Sequence, residues 1–300
     1  MGNTRRSDYR LSGVRLLQHL NIVLGQEAGY PDTPTWGYAF SYLAALYAKD
    51  DIENSFSMKA LRHLELQDKT DPNYSWEFVV YALQSAKKFS SVPIPAHLDR
   101  CQEKGTRMFN WFLLRRFNKR LCNGYSAIDH FKLRIAVSIY QEKTGLILDE
   151  LKTRSLQYHA FCLFLLAELI EIAPENAWLK KRFSDGVEYS MRHVLHDGTS
   201  LFIGRGQEQI FGYGALIYSF EYCHTKIRPL SEQLIHLVCK RLLSFQREDG
   251  SYPLVLRRRE PETGNAHFSE DAPGGWYGYN TLYDYQPFLA YCLLKASELR

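Results

Sequence analysis

The sequence predicts an all-α chain whose helical hairpins curl into an (α/α)6 toroid, or an incomplete version of that ring. Three observations lead there. Apolar residues recur at three- and four-residue intervals through most of the 300 residues, and the period of two that marks strands is scarce. Six segments share one style, a polar or glycine-bearing entry followed by a helix rich in aromatic and small residues. Between them run amphipathic helices with one polar face. Two helix types therefore alternate, as they must when inner helices are packed on both sides and outer ones face water.

The elements follow in order. Residues 11–24 carry the first apolar stripe, and TWGYAFSYLAALY from Thr35 is the first inner helix. NYSWEFVVYALQSA from Asn73 is the second, periodic over 77–87. Residues 98–117 read as an outer helix, and GYSAIDHFKLRIAVSIY from Gly124 as the third inner one. QYHAFCLFLLAEL from Gln157 comes next, then an outer helix over 183–194. FGYGALIYSFEY from Phe211, an outer helix over 230–246, and YNTLYDYQPFLAYCLLKA from Tyr279 complete the set. Turn dipeptides punctuate the joins at Asp71-Pro72, Asn123-Gly124, Asp197-Gly198 and Asp249-Gly250. The repeat spacing is uneven, which excludes a strict-period solenoid. The chain reads as one domain, with a proline- and glycine-rich stretch at about 248–280 expected to form a lid or a wall of the site.

Composition narrows the function. A hydrophobic content of 45% suffices for a core, and 14% aromatic residues, with 20 Tyr and 17 Phe, suit a cleft that must be apolar and hydrogen-bonding together, as a sugar site must. The formal net charge of +4 is too mild for a dedicated nucleic-acid binder. Cys101, Cys122, Cys162, Cys223, Cys239 and Cys292 form no CxxC pair, and a reduced state is expected. The N-terminus lacks the apolar run of a signal peptide, and no stretch reaches the ~18 apolar residues of a membrane span. A soluble, cytoplasmic protein is expected, the alternative being a domain excised from a secreted parent. His193, His196 and Asp197 stand without a second cluster, so no metal site is expected, and no phosphate- or dinucleotide-binding motif calls for a cofactor.

The most informative segment is HDGTSLFIGRGQEQIFGYGALIYSFEY, from His196 to Tyr222. Packing alone asks for a plain cap and an apolar stripe at a helix start, not a run of glycine, arginine and amides. The GRGQEQIFGYG run from Gly204 resembles the central segment of heparinase II/III-type polysaccharide lyases and related carbohydrate-active toroids. That resemblance implies β-elimination of an acidic polysaccharide or oligosaccharide. A Tyr or His there removes the proton next to a carboxylate, and an Arg, Asn or Gln neutralises that carboxylate. The Asn-His pairing of that family is met in part by Gln157, Tyr158 and His159. A second run, LLSFQREDGSYPL from Leu242, is similar to the Q-x-x-D-G-S-W motif linking helices in terpene-cyclase toroids, with Tyr252 in place of Trp. It implies a structural tie, and no DDxxD or DxDD cluster accompanies it.

Proton abstraction beside a carboxylate needs charge neutralisation, a base and an acid. Arg205 is the candidate neutraliser, Gln207 and Gln209 the candidate hydrogen-bonding amides, and His159 with Tyr158, Tyr213 or Tyr283 the candidate base and acid. Hydrolysis, the alternative, needs two carboxyl groups across a glycosidic bond. Glu77, Asp129, Glu208 and Asp284 stand at predicted inner-helix starts, Glu208 and Asp284 being the best placed. Trp36, Tyr38, Trp76, Trp276, Tyr277, Tyr279, Tyr283 and Tyr285 are candidate stacking platforms, and Asn280 a polar contact or helix cap. A toroid that binds glycan without turnover is the third reading. The expectation that ties these together is convergence of Arg205, His159 and Tyr283 in one cleft.

Overall fold

The computed structural model describes residues 2–26, 29–31, 35–71, 74–89, 94–98, 106, 108–257 and 281–300. Eleven α-helices occur among them. They are α1 (Gly2–Gln26), α2 (Gly37–Ala48), α3 (Asn54–Leu66), α4 (Trp76–Ala86), α5 (Phe109–Asn123), α6 (Ala127–Tyr140), α7 (Leu156–Ile172), α8 (Ala177–Met191), α9 (Ile210–Tyr222), α10 (Glu232–Leu243) and α11 (Leu282–Ser297). No strand occurs among the described residues, only isolated bridges such as Gln209 with Val255.

Helices α2, α4, α5, α7, α9 and α11 each pack on the next, and α11 returns to α2, so six inner helices close a ring. Outside it, α1 leans on α11 and α2, α3 on α2, α6 on α5, α8 on α7 and α10 on α9. This is the (α/α)6 toroid that the alternation of helix types predicts. The sixth outer position, between α4 and α5, falls in residues 87–108, which are described only in part. Inner helices have no polar face to spare, and every residue of α9 is buried.

Two assignments exchange places. Residues 98–117, expected as an outer helix, contain the start of α5, which is an inner helix. The segment from Gly124, expected as inner, is the outer helix α6. Composition misleads at both. Helix α5 carries Arg115, Arg116 and Lys119, but these long side chains reach neighbouring elements: Arg115 comes within 3.8 Å of Glu77 on α4, and Arg116 and Lys119 pair with Asp129 on α6 at 2.9 and 2.7 Å. Helix α6 buries Asp129, Leu133 and Val137 on one face yet presents Ile128, Phe131, Ile135 and Ile139 on the other, each 44–65% exposed. Helix α3 escaped the sequence reading because its periodic stretch is short.

One outer turn is used twice. Gln141 Nε2 donates to Gly145 O at 3.1 Å and to Arg182 O on α8 at 2.7 Å. Gln246 Nε2 donates to Gly250 O at 2.9 Å and to Ser12 O on α1 at 3.0 Å. Each glutamine closes its own turn and ties one outer helix to the next. Gln246 belongs to the run that resembles the terpene-cyclase linker. There Tyr252, in place of Trp, adds a 2.7 Å bond to Ser12 Oγ, so the structural role holds.

The floor of the ring is polar but closed. Glu168 on α7 accepts from the hydroxyls of Tyr81 and Tyr218, both at 2.9 Å, and pairs with Lys295 on α11. Tyr291 joins through Tyr81 at 2.8 Å. Each hydroxyl removes part of the cost of burying the carboxylate, and Lys295 removes its charge. Phe40, Phe164 and Phe288 pack as a buried layer beside these groups.

Candidate active site

The inner helices all run the same way, and their N-terminal ends surround one cavity of about 290 Å³. Its lining draws on every one of them: Thr35 and Trp36 at α2, Ser75 and Phe78 at α4, Asn110 and Trp111 at α5, Tyr158 and Phe161 at α7, Phe211 at α9, and Tyr285 at α11, with Thr106 and Met108 from the approach to α5. The wall is aromatic, with hydroxyl and amide groups set into it. No carboxylate lines it among the described residues. Trp36 stacks on Phe78 at 4.6 Å, and Phe211 on Tyr285 at 4.9 Å, so the platforms are fixed by one another.

Arg205 stands at the edge of this cavity. Its guanidinium lies 4.8 Å from the ring centre of Tyr158, comes within 3.7 Å of Met108 Sδ, and pairs with Asp149, while its side chain stays 25% exposed. Burial pushes the Asp149 carboxyl up, and Arg205 opposes that rise. The flanking glycines serve packing. A Cβ on Gly204, whose φ is +83°, would meet Arg154 O at 2.2 Å, and Ser155 Oγ donates to Arg205 O at 2.8 Å. The Gly-Arg-Gly corner is thereby clamped onto the start of α7. Asp149 gave no signal in the sequence, because a lone aspartate in a loop has no pattern.

The expected convergence of Arg205, His159 and Tyr283 does not occur. His159 is fully buried in the wall, its Nδ1 accepting from Ile147 N–H at 2.9 Å and its Nε2 lying 3.1 Å from Gly186 O. With Nδ1 accepting, Nε2 carries the hydrogen and donates. Burial lowers its pKa to about 4, and both nitrogens are committed, so it is not available as a base. Tyr283 stacks on Tyr30 at 4.9 Å, and Tyr38 stacks on the other side of Tyr30 at 4.8 Å and takes the Tyr30 N–H on its hydroxyl. Both tyrosines belong to that column rather than to the cavity wall. Trp76 packs edge-on to Tyr74 and lies outside the lining.

Glu208, Tyr213 and Gln209, three residues of the central segment, lie outside the cavity lining and are tied into the framework. Glu208 Oε2 takes Arg241 at 2.6 Å and Tyr213 at 2.9 Å, and its Oε1 takes Leu201 N–H at 3.0 Å. These bonds hold Glu208 at a φ of +57°, and burial beside that carboxylate drives the Tyr213 phenol up. Gln209 accepts from Gln157 Nε2 at 2.6 Å within the core. Gln207 faces Arg257 at 2.6 Å, next to a separate hollow of about 540 Å³ lined by Asp197, Arg241, Ser244, Phe245 and Arg257. Glu77, 1% exposed, faces Arg115.

Asp284 is a clasp. Its carboxylate accepts the N–H groups of Thr35 (3.0 Å), Trp36 (2.8 Å) and Gly37 (2.6 Å), plus the Thr35 hydroxyl at 3.1 Å. It caps α2 from α11, where no local side chain does so. Burial raises its pKa to about 6 against these donors. Trp276, Tyr277, Tyr279 and Asn280 lie outside the described residues. Sequence reasoning thus found Trp36, Tyr158, Tyr285 and Arg205 at or beside the cavity. It missed Phe78, Trp111, Phe161 and Phe211, which read as ordinary apolar positions of their helices.

Ring and cavity define the class as a helical toroid with a single described mouth at its helix N-termini. No family model matches the sequence, and no curated protein matches it. Among solved structures the chain is similar to a polysaccharide lyase, with 11% identity over 96% of this chain and 97% of the other and a TM-score of 0.60. It is similar to a glycosyl hydrolase family 88 protein from Bacteroides vulgatus (10% identity, 96% and 99% coverage, TM-score 0.61). A type II terpene cyclase from Scytonema also matches (13% identity, 100% and 99% coverage, TM-score 0.56). At such identities the likeness establishes the fold, the (α/α) toroid, and chemistry has to be argued from the site.

Proposed function

We propose that the protein is a carbohydrate-active enzyme that takes an acidic polysaccharide or oligosaccharide into the toroid mouth and cleaves it by β-elimination. The observation that carries this reading is the charge of the cavity. The N-termini of six helices surround it, α4, α5 and α9 have no side-chain cap, and Arg205, paired with Asp149, brings its guanidinium to the edge. Helix N-termini and a guanidinium favour an anion, and the lining sets no described carboxylate against it. Trp36, Trp111 and Tyr285 give sugar rings apolar faces to stack on, and Asn110, Ser75 and Thr35 can bind hydroxyls.

In this reading Arg205 pairs with the substrate carboxylate and stabilises the charge that gathers there as the neighbouring proton leaves. Tyr158, the one candidate base of the sequence reading that lines the cavity, takes that proton as its phenolate, beside the Arg205 guanidinium, and becomes the neutral phenol. The electron pair forms the new carbon–carbon double bond as the glycosidic carbon–oxygen bond breaks, and the Tyr285 hydroxyl can protonate the departing oxygen. Similarity to a polysaccharide lyase and to a family 88 hydrolase supports carbohydrate as the substrate class. The test is incubation with a panel of uronic-acid polymers and oligomers. Ultraviolet absorbance of an unsaturated uronate is expected, and it should disappear in Tyr158→Phe. New reducing ends without that absorbance would establish hydrolysis instead, and glycan binding with neither signal would leave a binding module.

A further inference from the structure

We infer that the α5–α6 hairpin is a docking surface for an anionic lipid layer. Helix α6 supplies the apolar part. Eleven large apolar side chains are exposed among the described residues, and four of them, Ile128, Phe131, Ile135 and Ile139, belong to this single helix. Their spacing puts them on one stripe, directly opposite the Leu133–Val137 face that meets the ring. Exposed Lys132 borders the stripe on one side, and exposed Arg134, its guanidinium over the Trp178 ring, borders it on the other.

Charge selects the occupant. Residues 109–143 contain seven lysines and arginines against two acids, a net of +5, while the whole chain carries +4. Arg115 faces Glu77, and Arg116 and Lys119 face Asp129, which leaves Arg120, Lys132, Arg134 and Lys143 as the basic groups outside those pairs. Of its two acids, Asp129 is buried under Arg116 and Lys119, and Glu142 is engaged by Arg154 at 2.9 Å. A second copy of the chain would bring two such hairpins face to face, and like charges oppose that pairing. A bilayer surface offers what the helix presents: an apolar layer for the stripe and, just above it, phosphates for basic groups on either edge. No described helix is long and apolar enough to cross a membrane, so the contact is peripheral.

The test is sedimentation of the full chain with vesicles. Phosphatidylglycerol–phosphatidylcholine vesicles should carry it down, pure phosphatidylcholine vesicles should not, and added salt should release it. Phe131→Ser combined with Ile135→Ser, both exposed, should weaken binding roughly a hundredfold with an unchanged thermal transition. Lys132→Glu, which leaves the apolar stripe intact, should weaken it about tenfold on anionic vesicles only. Failure to sediment, or binding that survives both variants, overturns the proposal. So does dimerisation in solution that the serine variant abolishes, because the stripe would then belong to a second copy.

Discussion

The Gly37 N–H meets the Asp284 carboxylate at 2.6 Å, across 247 residues of chain, and this contact joins the last inner helix to the first. The approach is so tight that a Cβ on Gly37 would lie 1.9 Å from Tyr283 O. The same carboxylate takes the Trp36 N–H and so sets the tryptophan that lines the cavity. One side chain thus takes part both in closing the ring and in shaping the site.

Asp284→Ala should cost about 3 kcal/mol or more of stability, since it strands three backbone donors. The pH dependence has a definite sign. The folded-state pKa of about 6 lies above the ordinary value, so the contribution present at low pH is lost as pH rises from about 4 to about 6. Measured by denaturant titration across that window, wild type should lose stability relative to Asp284→Asn as pH rises.

His159 gives the opposite slope. Its folded-state pKa of about 4 lies below that of the free imidazole, so stability is full above about 6.5 and is lost as pH falls towards 4. The loss should reach roughly 3 kcal/mol and be absent in His159→Gln. Turnover per folded molecule at neutral pH should stay within about threefold of wild type; a collapse would return the histidine to the chemistry.

Arg205 needs a paired test. Arg205→Ala leaves Asp149, which is fully buried, without its cation, and should cost about 3–5 kcal/mol in thermal or denaturant unfolding. Arg205→Met with Asp149→Asn removes both charges and should recover most of that stability. Turnover in this double variant should remain about a hundredfold or more below wild type if the guanidinium binds the substrate carboxylate.

Gln246→Ala removes one hydrogen bond that closes its own turn and one that ties it to α1, and should lower stability by about 2 kcal/mol while leaving the cavity untouched. Gln141→Ala should do the same between α6 and α8. Equal losses, read from unfolding curves, would establish the shared turn as a repeated structural unit.

The fold was legible because inner helices cannot conceal what they are: α7 and α9 are apolar on all sides, which only a doubly packed helix tolerates. Helix α6 was misread for the same reason, since its outward stripe imitates a second buried face. The site was half legible. Trp36, Tyr158 and Tyr285 stand at helix starts, where periodicity alone says which end of the ring they occupy. Tyr213 and Glu208 looked catalytic because a buried tyrosine–carboxylate pair has the same composition whether it reacts or braces. Arg241, 33 residues beyond Glu208, holds that carboxylate in place, and no local pattern announces it.

The Glu168–Lys295 plug makes the toroid a cup and not a tube. A ligand can therefore reach the middle of the ring only from the side where the helix N-termini gather. If the protein cleaves a glycan as proposed, each product has to back out through the same opening before another ligand can arrive, which makes departure a natural bottleneck.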